Sequence, residues 1–233
     1  MKSEKKYKAL FLDMDGTFLD FQTAEREAFF RTFASLGLKA DEEICAEYSR
    51  INLGLWKAFE RGEIEKQQIR DSRFTLLFEA LGLETDGLLA EKNYEKFLGE
   101  GHALMPHARE VLEWLSARYP LYVVTNGFKH IQANRLKLAD IDRFMTQKFI
   151  SEDIGYQKPQ KEFFQVCFER MEQKFLSEEI LVIGDSLTSD IRGAANAGLD
   201  SCWFNPQGEA NCSGVQPDYE IKSLLALKKL LAD

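Results

Sequence analysis

A short apolar segment that ends in two carboxylates constrains the fold more than any other feature of this 233-residue chain. Residues 9–12 read Ala-Leu-Phe-Leu, and they are followed closely by Asp13, Asp15, Gly16 and Thr17. Four consecutive apolar residues are typical of a strand buried on both faces of a parallel sheet. An unpaired buried charge is costly, and ligands of open α/β sheets bind at the carboxyl ends of strands. The segment therefore predicts a site for a divalent cation and a phosphate.

The second half of the chain predicts a Rossmann-like, doubly wound parallel sheet. From residue 106 onward, helical and strand patterns alternate, which is typical of α/β domains. Together with the first strand, this pattern gives five predicted parallel strands. The four later ones are expected at Leu121–Val124, around Phe149, at Ile180–Ile183 and at Ser201–Phe204. Helices are predicted between them, including Lys161–Lys174 and Ser189–Ala197.

Residues 18–101 have a different pattern. Apolar residues recur there at helical spacing without a convincing strand, and glycines stop the predicted helices at Gly37, Gly62 and Gly82. Four helices with short connections indicate a small bundle. We therefore expect a core formed by residues 1–17 and 102–233, with a helical domain inserted as residues 18–101.

Composition limits the partners that such a chain can have. Its formal net charge is −8 and it has no long basic block, which argues against binding a nucleic-acid polymer. Its four cysteines form no C-x-x-C pair, so reduced thiols are expected. The first residues are charged, and no stretch approaches the ~18 apolar residues of a membrane span. The sequence thus predicts a cytoplasmic protein without a membrane partner.

Polar residues follow the ends of the other predicted strands as well. Thr125 and Asn126 follow the second strand, Lys158 follows the third, and Asp185 follows the fourth, with Asp190 five residues further on. The carboxyl ends of parallel strands meet at one edge of a sheet, so these side chains are expected to converge with the acids after the first strand.

The residue types fit phosphoryl transfer through an aspartyl phosphate. Asp13 can accept the phosphoryl group, and an aspartate is ionised at neutral pH without help from a base. Positions i and i+2 of an extended segment point to the same side, so Asp15 can reach the same phosphate and exchange protons with the leaving group and the attacking water.

Clustered carboxylates need a compensating charge. Mg²⁺ prefers carboxylate, water and phosphate oxygens, so a magnesium ion among Asp13, Asp15 and Asp185 resolves their repulsion. Lys158 supplies a second positive charge for the phosphoryl oxygens. Thr125, Asn126 and backbone N–H groups near Gly16 can add hydrogen bonds that strengthen in the transition state.

These motifs, in this order and strand context, resemble the four motifs of the haloacid dehalogenase (HAD) superfamily over nearly the whole chain. The resemblance implies a Rossmann-like core and identifies the helical insertion as a C1-type cap that closes over the site and selects substrate. It also implies specific roles for individual residues. Asp13 would be the nucleophile and a metal ligand, Asp15 the general acid/base and a ligand through its backbone carbonyl, Asp185 a third ligand, Asp190 a support, and Gly16, Thr17, Thr125, Asn126 and Lys158 the phosphate-binding group.

The second acid distinguishes branches of that superfamily. The dehalogenases lack an aspartate at the position of Asp15, and P-type ATPases carry threonine there, so this chain resembles the phosphatases. Three segments, 55–60, 125–128 and 150–155, also resemble the housekeeping pyrimidine 5′-nucleotidases. That resemblance implies a Mg²⁺-dependent hydrolase of a small phosphorylated metabolite, above all a nucleoside 5′-monophosphate, acting as a monomer or homodimer.

Other functions remain open at this stage. Sugar-phosphate and phosphoglycolate phosphatases share the scaffold, and a phosphomutase would return the phosphoryl group to a sugar. A catalytically silent binding module on the same fold is the alternative from a different class. Neither the exact substrate nor the choice between Mg²⁺ and Mn²⁺ follows from the sequence.

Overall fold

The structure, a computed structural model, describes residues 6–232. The chain forms two compact units. The larger combines the segment that ends at Asp20 with the segment that begins at Ala103, and the smaller is Phe21–His102. Among the described residues, no helix is both long and apolar enough to cross a membrane.

The regular elements of the described residues follow one another in a simple order. The strands are β1 Ala9–Leu12, β2 Leu121–Thr125, β3 Gln147–Ile150, β4 Ile180–Gly184, β5 Asp200–Phe204 and β6 Tyr219–Ile221. The helices are α1 Phe21–Ser35, α2 Glu42–Glu60, α3 Lys66–Leu81, α4 Gly87–Glu100, α5 Ala108–Ser116, α6 Lys129–Leu138, α7 Ser151–Ile154, α8 Lys161–Arg170, α9 Arg192–Ala197 and α10 Ala226–Leu230.

A six-stranded parallel sheet forms the centre of the larger unit, in the order β3-β2-β1-β4-β5-β6. This confirms the predicted doubly wound core. The chain moves outward from β1 through β2 to β3, and later from β4 through β5 to β6. The direction therefore reverses between β1 and β4, the place where open α/β sheets bind ligands.

Strand β1 is buried on both faces, as its apolar sequence predicts. All four of its residues are fully buried. Leu10 and Leu12 belong to the apolar layer on one face of the sheet, and Ala9 and Phe11 to the layer on the other. The ring of Phe11 stacks on that of Phe164 from α8, with centroids 6.0 Å apart. These contacts hold the strand firmly, so the residues that follow it are fixed in position.

Several elements differ from the prediction. Strand β6 was not predicted, because its three residues lie at the sheet edge and form no apolar run. Helix α8 ends at Arg170 rather than near Lys174, whose ammonium group instead donates to the carbonyls of Phe168 and Glu169. The helix predicted at 189–197 begins as a π-helical turn, Leu187–Ile191, before α9.

The smaller unit is a four-helix bundle, α1 to α4, as predicted. Its interior contains an ion pair between Arg73 of α3 and Glu91 of α4, with N–O distances of 2.5 and 2.7 Å. Arg73 also donates to Asn52 of α2 at 3.2 Å, and Asn52 in turn donates to Glu25 of α1 at 2.7 Å. A buried charge needs a partner, so this network requires all four helices to pack in one register.

Candidate active site

Side chains from several loops meet where the direction of the sheet reverses. Asp13 follows β1, Thr125 ends β2, Asp185 follows β4, and Lys158 lies in the loop before α8. Because β1 lies between β2 and β4 in a parallel sheet, the carboxyl ends of these three strands lie side by side. The structure brings Asp13, Lys158, Asp185 and Asp190 into contact or near contact, as the sequence predicted.

Lys158 is at the centre of this group, and only 1% of it is exposed. Its ammonium group donates to Asp13 Oδ1 at 2.7 Å, to Asp190 Oδ1 at 2.6 Å and to the carbonyl of Val124 at 2.8 Å. Burial alone would lower the pKa of Lys158, but the carboxylates of Asp13 and Asp190 raise it above its ordinary value. The lysine is therefore a fixed positive charge beside Asp13.

Asn126 fixes the backbone that carries this lysine. Its Nδ2 donates to the Lys158 carbonyl at 2.8 Å, and its Oδ1 accepts from the Lys158 N–H at 2.9 Å. The sequence predicts that Asn126 binds phosphate, whereas both ends of its amide contact the Lys158 loop in the structure. The phosphate contact stays a prediction, and the observed contacts give Asn126 a role in positioning Lys158.

Gly16 and Thr17 form the turn next to Asp185. Gly16 has a φ of +82°, and a Cβ at this position would lie 2.4 Å from Asp185 Oδ2. The Gly16 N–H donates to Leu19 within the turn at 2.9 Å. The Thr17 hydroxyl donates to Asp185 Oδ1 at 3.1 Å and lies 3.5 Å from Asp13 Oδ2. Glycine is thus needed for the close approach of Asp185, and Thr17 orients the two carboxylates.

Three carboxylates form a candidate cation site. Asp13, Asp185 and Asp190 each offer an oxygen, and these atoms all lie within 4.8 Å of one another. When ionised, these carboxylates carry three negative charges, and Lys158 supplies one positive charge. The excess of negative charge is what a divalent cation would balance. Carboxylate oxygens are hard ligands of the kind that Mg²⁺ prefers. The residues present therefore fit a magnesium ion.

Burial and the excess of negative charge also raise the pKa values of these carboxyl groups. Burial raises the pKa of Asp185 to about 7, and the carboxylate of Asp190 adds to the increase. Burial also raises the pKa of Asp13 above its usual range, although Lys158 opposes the shift. Without a cation, the site favours protonation of at least one carboxyl group near neutral pH.

We expect the metal-free protein to lose stability as the pH rises from about 4 to about 7. The folded state has the higher pKa at Asp185, so it binds more protons than the unfolded chain in this range, and its free energy of unfolding falls with pH. Urea unfolding with EDTA measures this slope. Added Mg²⁺ should increase stability more at pH 8 than at pH 5, and Asp185→Asn should remove most of that increase. A magnesium effect of equal size at both pH values, unchanged in Asp185→Asn, would contradict the assignment of the site.

Asp15 lies in a separate group of contacts that was not predicted from the sequence. Arg135 of α6 forms an ion pair with Asp15 Oδ1, and Gln132 Nε2 donates to Asp15 Oδ2 at 2.5 Å. Gln132 and Arg135 are three residues apart, so they lie on the same face of the helix. In sequence they look like ordinary exposed positions, and only their spacing after Thr125 could have singled them out.

Thr125 links the two parts of the site. Its Oγ1 accepts from the Gly127 N–H at 3.0 Å and from Gln132 Nε2 at 3.2 Å. A threonine hydroxyl has two lone pairs and one hydrogen, so these two donors leave the O–H free to donate. The Thr125 hydroxyl is therefore available as a hydrogen-bond donor at the carboxyl end of β2.

The fold and this site define a class of hydrolase, and comparison with known proteins agrees. The family model for haloacid dehalogenase-like hydrolases matches residues 7–198, so the chain belongs to that family. It is 43% identical over 227 residues to the HAD-hydrolase YfnB of Bacillus subtilis, covering 97% of this chain and 96% of YfnB. The crystal structure of YfnB bound to magnesium matches with a TM-score of 0.93 at 42% identity, covering 98% of this chain and 100% of that one.

A further relative indicates the type of reaction. The chain is 37% identical over 218 residues to the pyrimidine 5′-nucleotidase PynA of Streptococcus pneumoniae, covering 93% of this chain and 92% of PynA. The chain is a phosphatase of the HAD-like family, and the predicted superfamily and α/β fold are confirmed. The roles assigned to individual site residues stay predictions.

Proposed function

We propose that the chain is a Mg²⁺-dependent nucleoside 5′-monophosphate phosphatase that forms an aspartyl phosphate on Asp13. One observation carries the mechanism. A buried carboxylate follows the central strand, is paired with a buried lysine, and lies among further carboxylates that a divalent cation would balance. A cation, a fixed ammonium group and an ionised nucleophile are the parts that phosphoryl transfer requires.

The proposed reaction has two steps. An oxygen of Asp13 attacks phosphorus and the bond to the ester oxygen breaks, while Asp15 gives a proton to that oxygen. Water then attacks the phosphorus of the aspartyl phosphate and gives a proton to Asp15, which releases phosphate and restores Asp13. The positive charge of Lys158 and the hydrogen bond of the Thr125 hydroxyl stabilise the phosphoryl oxygens in both steps, where negative charge develops.

A magnesium ion would be held by the side chains of Asp13 and Asp185 and by the backbone carbonyl of Asp15. When bound, it would neutralise the carboxylates and the charge on the phosphoryl oxygens. Asp190 supports the group instead of binding substrate, because its oxygens accept from Lys158 Nζ and, at 3.0 Å, from the Ser186 N–H. The Cβ that any other residue would place at position 184 would lie 2.3 Å from Asp190 Cγ, so Gly184 makes room for this support.

The proposed substrate class is inferred from the known proteins that the chain resembles. PynA is a pyrimidine 5′-nucleotidase that this chain matches over nearly its full length. Three short segments also resemble that branch in sequence. These facts support a pyrimidine nucleoside monophosphate over other phosphate esters.

A phosphate-release screen tests this assignment. We expect uridine and thymidine 5′-monophosphates to have a kcat/KM at least about tenfold above those of sugar phosphates and phosphoglycolate, since about 1.4 kcal/mol of selective binding gives that factor. Measurements with excess Mg²⁺ and with EDTA should differ by several orders of magnitude. Preference for phosphoglycolate or a sugar phosphate would show that the proposed nucleotide substrate is wrong. It would identify the protein as one of the alternative phosphatases. Turnover that produces an isomeric sugar phosphate without free phosphate would identify a phosphomutase.

A further inference from the structure

Arg135 is a charged side chain in an unusual environment. It lies on α6 in the larger unit, and its exposed fraction is 0%. Arginine is rarely buried completely, because its charge loses hydration that only a close partner can replace. The carboxylate of Asp15 is such a partner, because its Oδ1 forms an ion pair with the guanidinium group.

Gln132 holds the other oxygen of the same carboxylate. Its Nε2 donates to Asp15 Oδ2 at 2.5 Å, and only 1% of the glutamine is exposed. Asp15 itself is accessible, with 26% of its side chain exposed. The carboxylate therefore faces the open edge of the sheet while two buried side chains fix both of its oxygens.

Gly127 leaves the space that the Gln132 amide occupies in this contact. A Cβ at Gly127 would lie 2.3 Å from Gln132 Nε2, so any larger residue at that position would displace the amide. The same Nε2 also donates to Thr125 Oγ1 at 3.2 Å. A single amide group thus connects Asp15 to the hydroxyl that the proposed function assigns to the phosphoryl group.

We propose that Arg135 and Gln132 are positioning residues that orient the carboxylate of Asp15 for proton transfer to the ester oxygen of the substrate. This inference rests on the proposed function, in which Asp15 is the general acid/base. For this transfer the carboxyl group must carry a proton, which we place on Oδ2. Oδ1 then still accepts from Arg135, and a lone pair of Oδ2 still accepts from Gln132. The protonated group therefore keeps one orientation, whereas an aspartate free to rotate would spend most of its time out of reach of the ester oxygen.

Two kinds of phosphate ester differ in whether their leaving group needs a proton. A nucleoside leaves as an alkoxide unless its oxygen receives a proton as the P–O bond breaks. Dinitrophenolate is a stable anion and leaves without one. A defect in positioning Asp15 should therefore slow the transfer of the phosphoryl group from a nucleotide to Asp13 much more than the same transfer from dinitrophenyl phosphate. A residue that only stabilises the fold would affect both esters alike.

The experiment compares kcat/KM for uridine 5′-monophosphate and dinitrophenyl phosphate, since this parameter reports the steps up to the first irreversible one. We expect Arg135→Met to lower the value for the nucleotide by about 10²-fold or more and that for dinitrophenyl phosphate by less than about tenfold. Lys137→Met, which removes an exposed charge from the same helix, should change neither.

Gln132→Met provides an independent test, because it removes no charge and leaves the ion pair of Arg135 and Asp15 in place. It should reduce the nucleotide value selectively, by about tenfold, even if Arg135→Met fails to fold. Equal losses with both esters in the folded variants would overturn the inference. Asp15→Asn distinguishes the acid role of Asp15 from the positioning role of Arg135 and Gln132. If this variant also lowered kcat/KM equally for both esters, the proposed acid role of Asp15 would be wrong. If it alone showed a selective loss for the nucleotide, only the positioning role would be overturned.

Discussion

Replacing Asp13 by asparagine is expected to abolish phosphatase activity while preserving the fold. The amide has the size of the carboxylate but cannot form the acyl phosphate, and loss of a catalytic nucleophile typically lowers kcat by on the order of 10⁴-fold or more. Asp13 lies in a site with three carboxylates and one ammonium group, that of Lys158. Loss of one negative charge there should not destabilise the metal-free protein. Phosphate release and urea unfolding, measured on the same preparation, test both halves of this expectation.

Glu178→Gln is a matched control for that variant. It makes the same carboxylate-to-amide change at an exposed position in the larger unit, just before β4, and should leave both activity and stability unchanged. Near-normal turnover of Asp13→Asn would show that another residue, or water itself, attacks the phosphate.

Replacing Lys158 by methionine is expected to lower both activity and stability. The change leaves Asp13 and Asp190 without the buried ammonium group that now lies 2.7 and 2.6 Å from their oxygens. Removing one partner of a buried ion pair costs about 3–5 kcal/mol. Loss of a positive charge from the transition state should lower kcat by at least about 10²–10³-fold. Both effects follow from one buried cation that serves two carboxylates.

The stability of Lys158→Met should also depend on conditions. The unpaired carboxyl groups can take up protons at pH 5, so the loss of unfolding free energy should be larger at pH 8 than at pH 5. Lys161→Met, an exposed lysine at the start of α8, serves as the control and should behave like the wild type. A variant at Lys158 that kept wild-type stability and more than a tenth of its turnover would remove the lysine from the proposed mechanism.

Much of the site could be predicted from the sequence because its main residues follow strands directly. Runs of apolar residues mark β1, β2 and β4, and parallel topology brings the ends of these strands together whatever the connections between them. Asp13, Thr125 and Asp185 could therefore be placed at one edge from their sequence positions alone. The same reasoning predicted the helical insertion, since its apolar period changes from that of a strand to that of a helix.

The contacts of Asp15 could not be predicted in this way. Gln132 and Arg135 are polar residues on a helix, and such residues are usually solvated. They are buried here because Asp15, in the turn after β1 and more than a hundred residues earlier, supplies the compensating charge. The position of Asn126 is similar: its motif indicates a ligand contact, but a loop 32 residues later binds both ends of its amide. Long-range polar partners leave no periodic pattern in a sequence.

Covalent participation of Asp13 is the central claim, and a burst experiment with Asp15→Asn tests it most directly. Dinitrophenyl phosphate should transfer its phosphoryl group to Asp13 without an acid, but the variant has no base to activate the water that removes it. We predict a rapid release of one equivalent of dinitrophenolate per site, followed by slow turnover. Mass spectrometry of the acid-quenched protein should then find the phosphoryl group on Asp13. Phosphate release that matches dinitrophenolate release from the first turnover, with Asp13 unmodified, would contradict the account.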